Sequence, residues 1–255
     1  MRCAVIEICG NMISDLIQQE EQTETTKSQV DSFFDLLEER VLDVNPYCRS
    51  RIFQVYLRLL KYNSFPLLLV TISLPTKFPK RRQRICELCV RSLEDKSSHV
   101  RRNVIKLLTK LISTHPFALL HGGQLSYPEW HERLEALMVQ IDNLQPPSDA
   151  PGLSESDKMT DNPDGENTEF SAGTHRGEPT SSEPSSNPTT TGDDLMKLQL
   201  TKRYYTEALK FIESLHEASE TISQLLASKN KSEVLESMDF FVVADAYKLA
   251  TAKVC

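Results

Sequence analysis

The chain has 255 residues, of which 39% are hydrophobic and 25% charged, and its formal net charge is −7. These values are ordinary for a soluble globular protein. The longest apolar run, 65–74, is too short to cross a bilayer and contains Pro66, which argues against a membrane-spanning protein. The six cysteines are scattered and no secretory signal precedes them, which predicts free thiols in a reducing compartment, the cytosol or the nucleus.

Helical spacing of apolar residues predicts helices along most of the chain. The first covers residues 2–20, and a polar loop follows at about 18–29. A pair of helices then covers about 31–42 and 46–61. Asn45 is the expected N-cap of the second helix, with Pro46 at its first position.

A second helix pair precedes Pro116, with Ser97 as the N-cap of its second helix, and another helix is predicted over 127–144. Residues 146–194 are rich in Ser, Thr, Pro and acidic residues and have almost no large apolar side chains. Such a segment cannot bury enough surface to offset the entropy of ordering, so a disordered acidic linker is expected. Two more helices are predicted at about 195–227 and 233–254.

The two helix pairs are copies of one unit, 52 residues apart. Residues 43–52 align with 95–104, and apolar positions match on both sides. Each copy reads as helix, tight Asp-containing turn, helix, which indicates an all-α solenoid of HEAT repeats. Four residues are expected to stabilise these turns: Asp43 and Arg49 in the first, and Asp95 and Arg101 in the second, where Arg101 is expected to pair with Asp95.

The expected organisation therefore has three parts: HEAT-repeat helices at 1–145, the linker at 146–194, and a helical hairpin at 195–255 that continues the solenoid. Residues 62–74 are anomalous, because removing them returns the period to 39, closer to a HEAT repeat. This segment is uncharged and strand-like. A surface loop and a gene-model error, such as a retained intron, are both open interpretations, and the second is favoured.

Residues that could carry chemistry are few. Cys86 and Cys89 have CxxC spacing, but both align with apolar positions of the other repeat, which favours core packing over a metal or redox site. The six histidines are dispersed without a neighbouring nucleophile. We therefore expect no enzyme, no cofactor and no small-molecule substrate.

The strongest functional signal is a basic segment. Residues 77–110 contain eleven Lys/Arg and three acidic residues, a local charge of +8, whereas 146–194 carry a charge of −9. A ridge of cations on a solenoid suits a phosphate backbone, which is bound through charge and counterion release. The alternative is that these cations only form a solvated helix face and bind no nucleic acid. The candidate DNA-contact residues are Lys80, Arg81, Arg82, Arg84, Arg102, Lys106 and Lys110.

Several long strings resemble a known family: 2–7, 42–49, 91–103, 113–117, 198–205 and 228–233. They are similar to the condensin complex subunit 1 family, the HEAT-repeat regulatory subunits of condensin. The resemblance covers nearly everything except the linker and 62–74. Because that family's members are several times longer, it also implies an internal fragment.

The resemblance implies a non-catalytic scaffold in mitotic chromosome condensation. Its partners would be the kleisin and SMC subunits and double-stranded DNA or chromatin, in the nucleus and on chromosomes, without membrane contact. The implied ATPase lies on the SMC subunits. The alternative function is a HEAT-repeat adaptor that binds only protein.

Overall fold

A computed structural model describes residues 1–18, 23–61, 79–117, 123–144 and 190–249, with backbone only at 61, 79–80 and 190–193. Every regular element in these ranges is helical: α1 (Arg2–Gln18), α2 (Glu24–Glu39), α3 (Pro46–Lys61), α4 (Pro79–Ser92), α5 (Ser98–Ser113), α6 (Tyr127–Leu144), α7 (Thr190–Leu225) and α8 (Lys231–Ala246), with a 3-10 turn, Arg40–Leu42, before α3. The anomalous segment 62–74 and residues 146–189 of the predicted linker lie outside the described residues.

Local capping explains where several helices begin. The Asn45 side chain accepts the Tyr47 N–H at 2.8 Å and Pro46 opens α3, as predicted. Helix α2 begins at Glu24, inside the predicted polar loop, because Thr23 accepts the Thr26 N–H at 3.1 Å and caps it. Residues 24–29 are all polar, so apolar spacing did not predict these first two turns of the helix.

Two other boundaries also differ from the prediction. Helix α7 begins at Thr190, so residues 190–194, predicted as linker, are helical. Helix α8 ends at Ala246, eight residues before the predicted end. Tyr247 caps it, and Lys248 follows with a φ of 56°, in the left-handed region where a helix stops.

Helices α1, α3, α5 and α8 form one continuous row in which each helix packs on the next. Contacting residues advance in the same direction along neighbouring helices, so these helices run parallel. The pairs are Cys3–Cys48 and Glu7–Arg58 for α1 and α3, and Arg101–Glu233 and Lys106–Glu236 for α5 and α8. Gly10 of α1 allows a close approach to α3, since a Cβ there would lie 2.5 Å from Val55 Cγ1. This row is the backbone of an all-α solenoid, as the sequence predicted.

Helices α2, α4 and α7 cover one side of this row. The Phe34 ring of α2 stacks on Tyr56 of α3 with centroids 6.1 Å apart. Helix α4 packs on both α5 and α7, and α7 also contacts α8. One buried apolar cluster runs through all of these helices, from Ile6 to Leu249.

Helix α6 is an addition to the repeat pattern and packs against α7. Trp130 is fully buried and donates its indole N–H to the Gln124 carbonyl at 2.8 Å. Its ring meets Phe117, Tyr204 and Tyr205 with centroids 5.8 to 6.0 Å apart. This aromatic cluster therefore anchors α6 to the solenoid.

The two ends of the row carry apolar side chains on their outer faces. Leu235, Met238 and Val242 of α8 are 62%, 53% and 70% exposed. Phe240 and Ala244 are buried instead. Apolar residues are spread around the circumference of α8, so periodicity alone could not identify its inner face. None of the helices described combines the length and apolar character needed to cross a membrane.

Candidate nucleic-acid interface

Ion pairs at the turns join successive repeats. Arg2 donates to Asp43 at 2.9 Å, and Arg49 binds Asp95 through two parallel hydrogen bonds of 2.7 and 2.8 Å. In both pairs the arginine belongs to one helix of the row and the aspartate precedes the next helix. The Arg49–Asp95 side chains are only 17% and 11% exposed. Bidentate, shielded geometry of this kind is the strong form of an ion pair.

The same residues also hold their own turns. Asp43 and Asp95 each accept the backbone N–H two residues further on, at 2.8 Å in both cases. Arg49 then donates to the Asp43 backbone carbonyl at 2.7 Å, and Arg101 donates to that of Asp95 at 2.5 Å. The expected Arg101–Asp95 ion pair is thus corrected. Arg101 meets the Asp95 backbone, because the carboxylate is taken by Arg49 of the preceding repeat.

A third ion pair continues the series with different chemistry. Arg101 donates to both carboxylate oxygens of Glu233, at 2.6 and 3.1 Å, and Glu233 is fully buried. Ser228 occupies the position that aspartate has in the other turns, two residues before the N-cap, and donates to Glu233 at 2.6 Å. The position equivalent to Arg49 and Arg101 is Val234, so the series ends at α8.

The charge state of the central pair follows from these contacts. Burial opposes ionisation of Asp95, but hydrogen bonds from Arg49 and from the Ser97 N–H outweigh it and lower the pKa of this carboxyl. The hydrogen bond to Asp95 in turn raises the pKa of Arg49, against the effect of burial. Both groups are therefore charged at neutral pH.

Two cations of the predicted basic patch are engaged by α2. Arg81 contacts Asp31 at 2.9 Å, Asp35 at 2.7 Å and Glu38 at 3.3 Å. Arg84 contacts Glu38 at 3.0 Å. Burial opposes the charge of Arg81, but these carboxylates raise its pKa, and the hydrogen bond to Glu38 is the main cause of the raised pKa of Arg84. Much of the positive charge of α4 is therefore compensated inside the protein.

Arg82 points inward and is only 5% exposed. Its guanidinium donates to the Leu111 carbonyl and to Thr114 Oγ1, and its Cζ lies 5.5 Å from the centroid of the Phe211 ring. Burial lowers its pKa to about 10, which still leaves it charged at neutral pH. A buried side chain cannot reach a polymer on the surface, so the prediction that Arg82 contacts DNA is not supported by its position.

The α5 candidates lie on one helical face but are only half-exposed. Lys106 pairs with Glu236 of α8 at 2.9 Å. Arg102 and Lys110 are half-buried, and Arg102 Nε is shielded from solvent. The side chain of Lys80 lies outside the described residues. The structure thus pairs Lys106 with a carboxylate of α8 and leaves Arg102 and Lys110 half-buried, so these three residues do not form an open ridge.

The sequence reasoning missed a smaller set of cations at the turns. Lys96, Lys229 and Lys231 are exposed. The two turns that carry them touch, since Asn230 Nδ2 donates to Ser98 Oγ at 3.0 Å. Lys96 and Lys229 occupy the same position, immediately before the N-cap residue. Aligning the α7–α8 turn with the other two would have revealed this correspondence. We call these three lysines the turn-edge lysines.

The parallel row, the covering helices and the repeated turns define the chain as an α-solenoid of HEAT type. No family model matches the chain. It is 38% identical over 259 residues to condensin complex subunit 1 of Schizosaccharomyces pombe and 36% identical over 260 residues to that of Saccharomyces cerevisiae. These alignments cover 99% and 98% of the chain and 21% of each relative.

A condensin-1 complex subunit CAP-D2 of Arabidopsis thaliana is 24% identical over 272 residues, covering all of the chain and 18% of that relative. Over nearly its whole length the chain is therefore similar to proteins of the condensin complex subunit 1 family. It spans about a fifth of the length of the curated relatives that it matches.

Proposed function

We propose that the chain is part of a non-catalytic regulatory subunit of condensin. In this role it associates with the kleisin and SMC subunits in the nucleus and on chromosomes and supports mitotic chromosome condensation. The observation that carries the proposal is the similarity to proteins named condensin complex subunit 1 over nearly the whole chain. The solenoid suits such a role, because stacked repeats offer long surfaces for macromolecules.

The proposal keeps the division of the chain into a solenoid part at 1–145, an acidic linker and a C-terminal hairpin that continues the solenoid, with the linker now ending at about residue 189. The stacking of α8 on α5 supports the last point. Co-purification with the other condensin subunits tests complex membership, and it should be done with and without residues 62–74. Recovery of those subunits with either form supports the proposal. Their absence from both, although the chain is soluble and helical, contradicts it.

We further propose that the chain contacts double-stranded DNA through the turn-edge lysines, with Arg102 and Lys110 as secondary contacts. Equivalent positions on stacked helices are spaced by about 8–10 Å, so Lys96 and Lys229 present a line of positive charge that a phosphate backbone can follow. Arg81, Arg84 and Lys106 are less available because each already binds a carboxylate.

Fluorescence anisotropy with a random-sequence DNA duplex tests this contact. Binding by the chain should be indifferent to sequence and should weaken as salt rises. The double substitution Lys96→Glu and Lys229→Glu should reduce the slope of log K against log salt by about 1 to 2. The matched control, Lys202→Glu with Lys210→Glu, makes the same charge change at exposed positions of α7.

Equal losses of DNA affinity in the two double variants would indicate a bulk charge effect and contradict a contact through the turn-edge lysines. No retention on DNA at low salt would favour the alternative function, a HEAT-repeat adaptor that binds only protein. A specific observation supports that alternative: α2 carboxylates compensate two of the cations on which the sequence argument for DNA relied.

A further inference from the structure

Two thiols meet at the first interface of the helix row. Cys3 lies in the first turn of α1 and Cys48 in the first turn of α3, and both are free cysteines. Their Sγ atoms are 3.4 Å apart, within hydrogen-bonding range for thiols. A disulfide has an S–S distance of about 2.05 Å, so the two sulfurs need to approach by only about 1.4 Å.

The two thiols differ in their access to solvent. Cys3 is half-buried, whereas Cys48 is only 2% exposed. Burial raises the pKa of Cys48, and its hydrogen bond with Cys3 raises it further. Either sulfur can donate this hydrogen bond, and Cys3 is the more exposed thiol of the two. This makes Cys3 the thiol that a dissolved oxidant reaches first, with Cys48 held behind it.

The other described cysteines, Cys9, Cys86 and Cys89, are all buried. Cys86 and Cys89 of α4 are both completely buried in the hydrophobic core. Burial raises the pKa of Cys86 to about 12 and also raises that of Cys89, so neither forms a thiolate readily. The CxxC spacing that stands out in the sequence thus marks the inert pair.

We propose that Cys3 and Cys48 form a reversible intrachain disulfide, with a low-molecular-weight disulfide such as oxidised glutathione as the oxidant. The Cys3 thiolate attacks one glutathione sulfur, the S–S bond of the oxidant breaks, and one glutathione leaves as a thiolate. Cys48 then loses its proton to that thiolate or to water and attacks the Cys3 sulfur. The second glutathione leaves. Two protein thiols are oxidised to one disulfide, and one glutathione disulfide is reduced to two glutathiones.

The bond would fix α1 to α3 beside the Arg2–Asp43 ion pair. Two helices held together by noncovalent contacts would become covalently joined across a repeat boundary. Oxidation would thereby stiffen the solenoid at this boundary without changing its surface charge.

Peptide mapping under non-reducing conditions tests the proposal. The whole chain, carrying Cys255→Ser to prevent cross-linking between molecules, is treated with oxidised glutathione while folded. The expected product lacks two hydrogen atoms, has Cys3 joined to Cys48, and returns to the starting mass with dithiothreitol. Cross-linking of Cys3 to Cys48 should be at least about tenfold faster than any oxidation of Cys86 and Cys89.

The variant Cys48→Ser supplies the matched control. It should accumulate glutathione on Cys3 and form no intrachain cross-link. The proposal is overturned if Cys3 and Cys48 stay reduced in the folded chain, if their bond forms only in urea, or if Cys86 and Cys89 oxidise at the same rate.

Discussion

Replacing Asp95 with asparagine removes the negative charge of the Arg49–Asp95 pair while it keeps the size of the side chain. The amide oxygen can still accept the Ser97 N–H, so the turn itself is preserved. Arg49 loses a charged bidentate partner but keeps two backbone acceptors, the carbonyls of Asp43 at 2.7 Å and Val44 at 3.1 Å.

The expected cost follows from these contacts. Breaking a fully buried ion pair by removing one partner costs about 3–5 kcal/mol. This pair retains some exposure, and Arg49 keeps its carbonyl contacts, so we expect Asp95→Asn to lower the free energy of unfolding by about 2–3 kcal/mol. Glu207→Gln breaks an exposed pair with Arg203 within α7 and should cost no more than about 0.5 kcal/mol.

Urea unfolding followed by circular dichroism measures both effects. The midpoint should fall for Asp95→Asn with little change in the m-value, since the folded surface stays the same. A double-mutant cycle with Arg49→Met should give a coupling energy of at least about 1 kcal/mol. Coupling near zero, or equal losses for Asp95→Asn and Glu207→Gln, would refute the view that this ion pair holds adjacent repeats together.

Three further perturbations have defined outcomes. His115 donates its Nε2–H to the Gly123 carbonyl at 3.0 Å, and burial lowers its pKa to about 4. Between about pH 6.5 and 4 the unfolded chain therefore binds a proton at His115 that the folded chain does not. Acidification through this range should lower the free energy of unfolding by up to about 1.4 kcal/mol per pH unit. His115→Gln should remove this contribution in urea titrations at several pH values. Gly10→Ala should lower the free energy of unfolding, measured by thermal unfolding, by about 1–2 kcal/mol, because the new Cβ meets a Val55 methyl at 2.5 Å. The same change in a Val55→Ala background should be neutral or stabilising, and a loss of stability in that background would contradict the clash. Arg82→Met should leave duplex affinity unchanged in anisotropy titrations, since the guanidinium is buried, and weaker binding by a folded variant would contradict its placement.

The fold was largely predictable from the sequence because the repeat itself is visible there. The equivalent turns at Asp43 and Asp95, with Asn45 and Ser97 as N-caps, gave the helix pairs and their order. The partner of each turn residue was not predictable. Sequence spacing suggested Arg101 with Asp95 in one turn, whereas stacking brings Asp95 to Arg49, 46 residues earlier in the chain.

The candidate interface was harder to predict for a related reason. Local charge counts treat 77–110 as an isolated basic segment, but Arg81 meets Asp31 and Glu38 of the preceding repeat. Nor does amphipathic spacing separate Arg82, which points into the core, from Arg81 beside it. The turn-edge lysines, by contrast, could have been found by aligning a third turn. Their positions depend on the repeat and not on long-range packing.

The most direct test of the whole account replaces the homologous segment of the Schizosaccharomyces pombe subunit with this chain and measures incorporation into condensin. The two segments are 38% identical over 259 residues, so the stacking surfaces should be compatible. We predict that the chimeric subunit is recovered with the other condensin subunits at a level close to that of the unaltered protein. A chimera that is soluble and helical but absent from the complex would contradict the account.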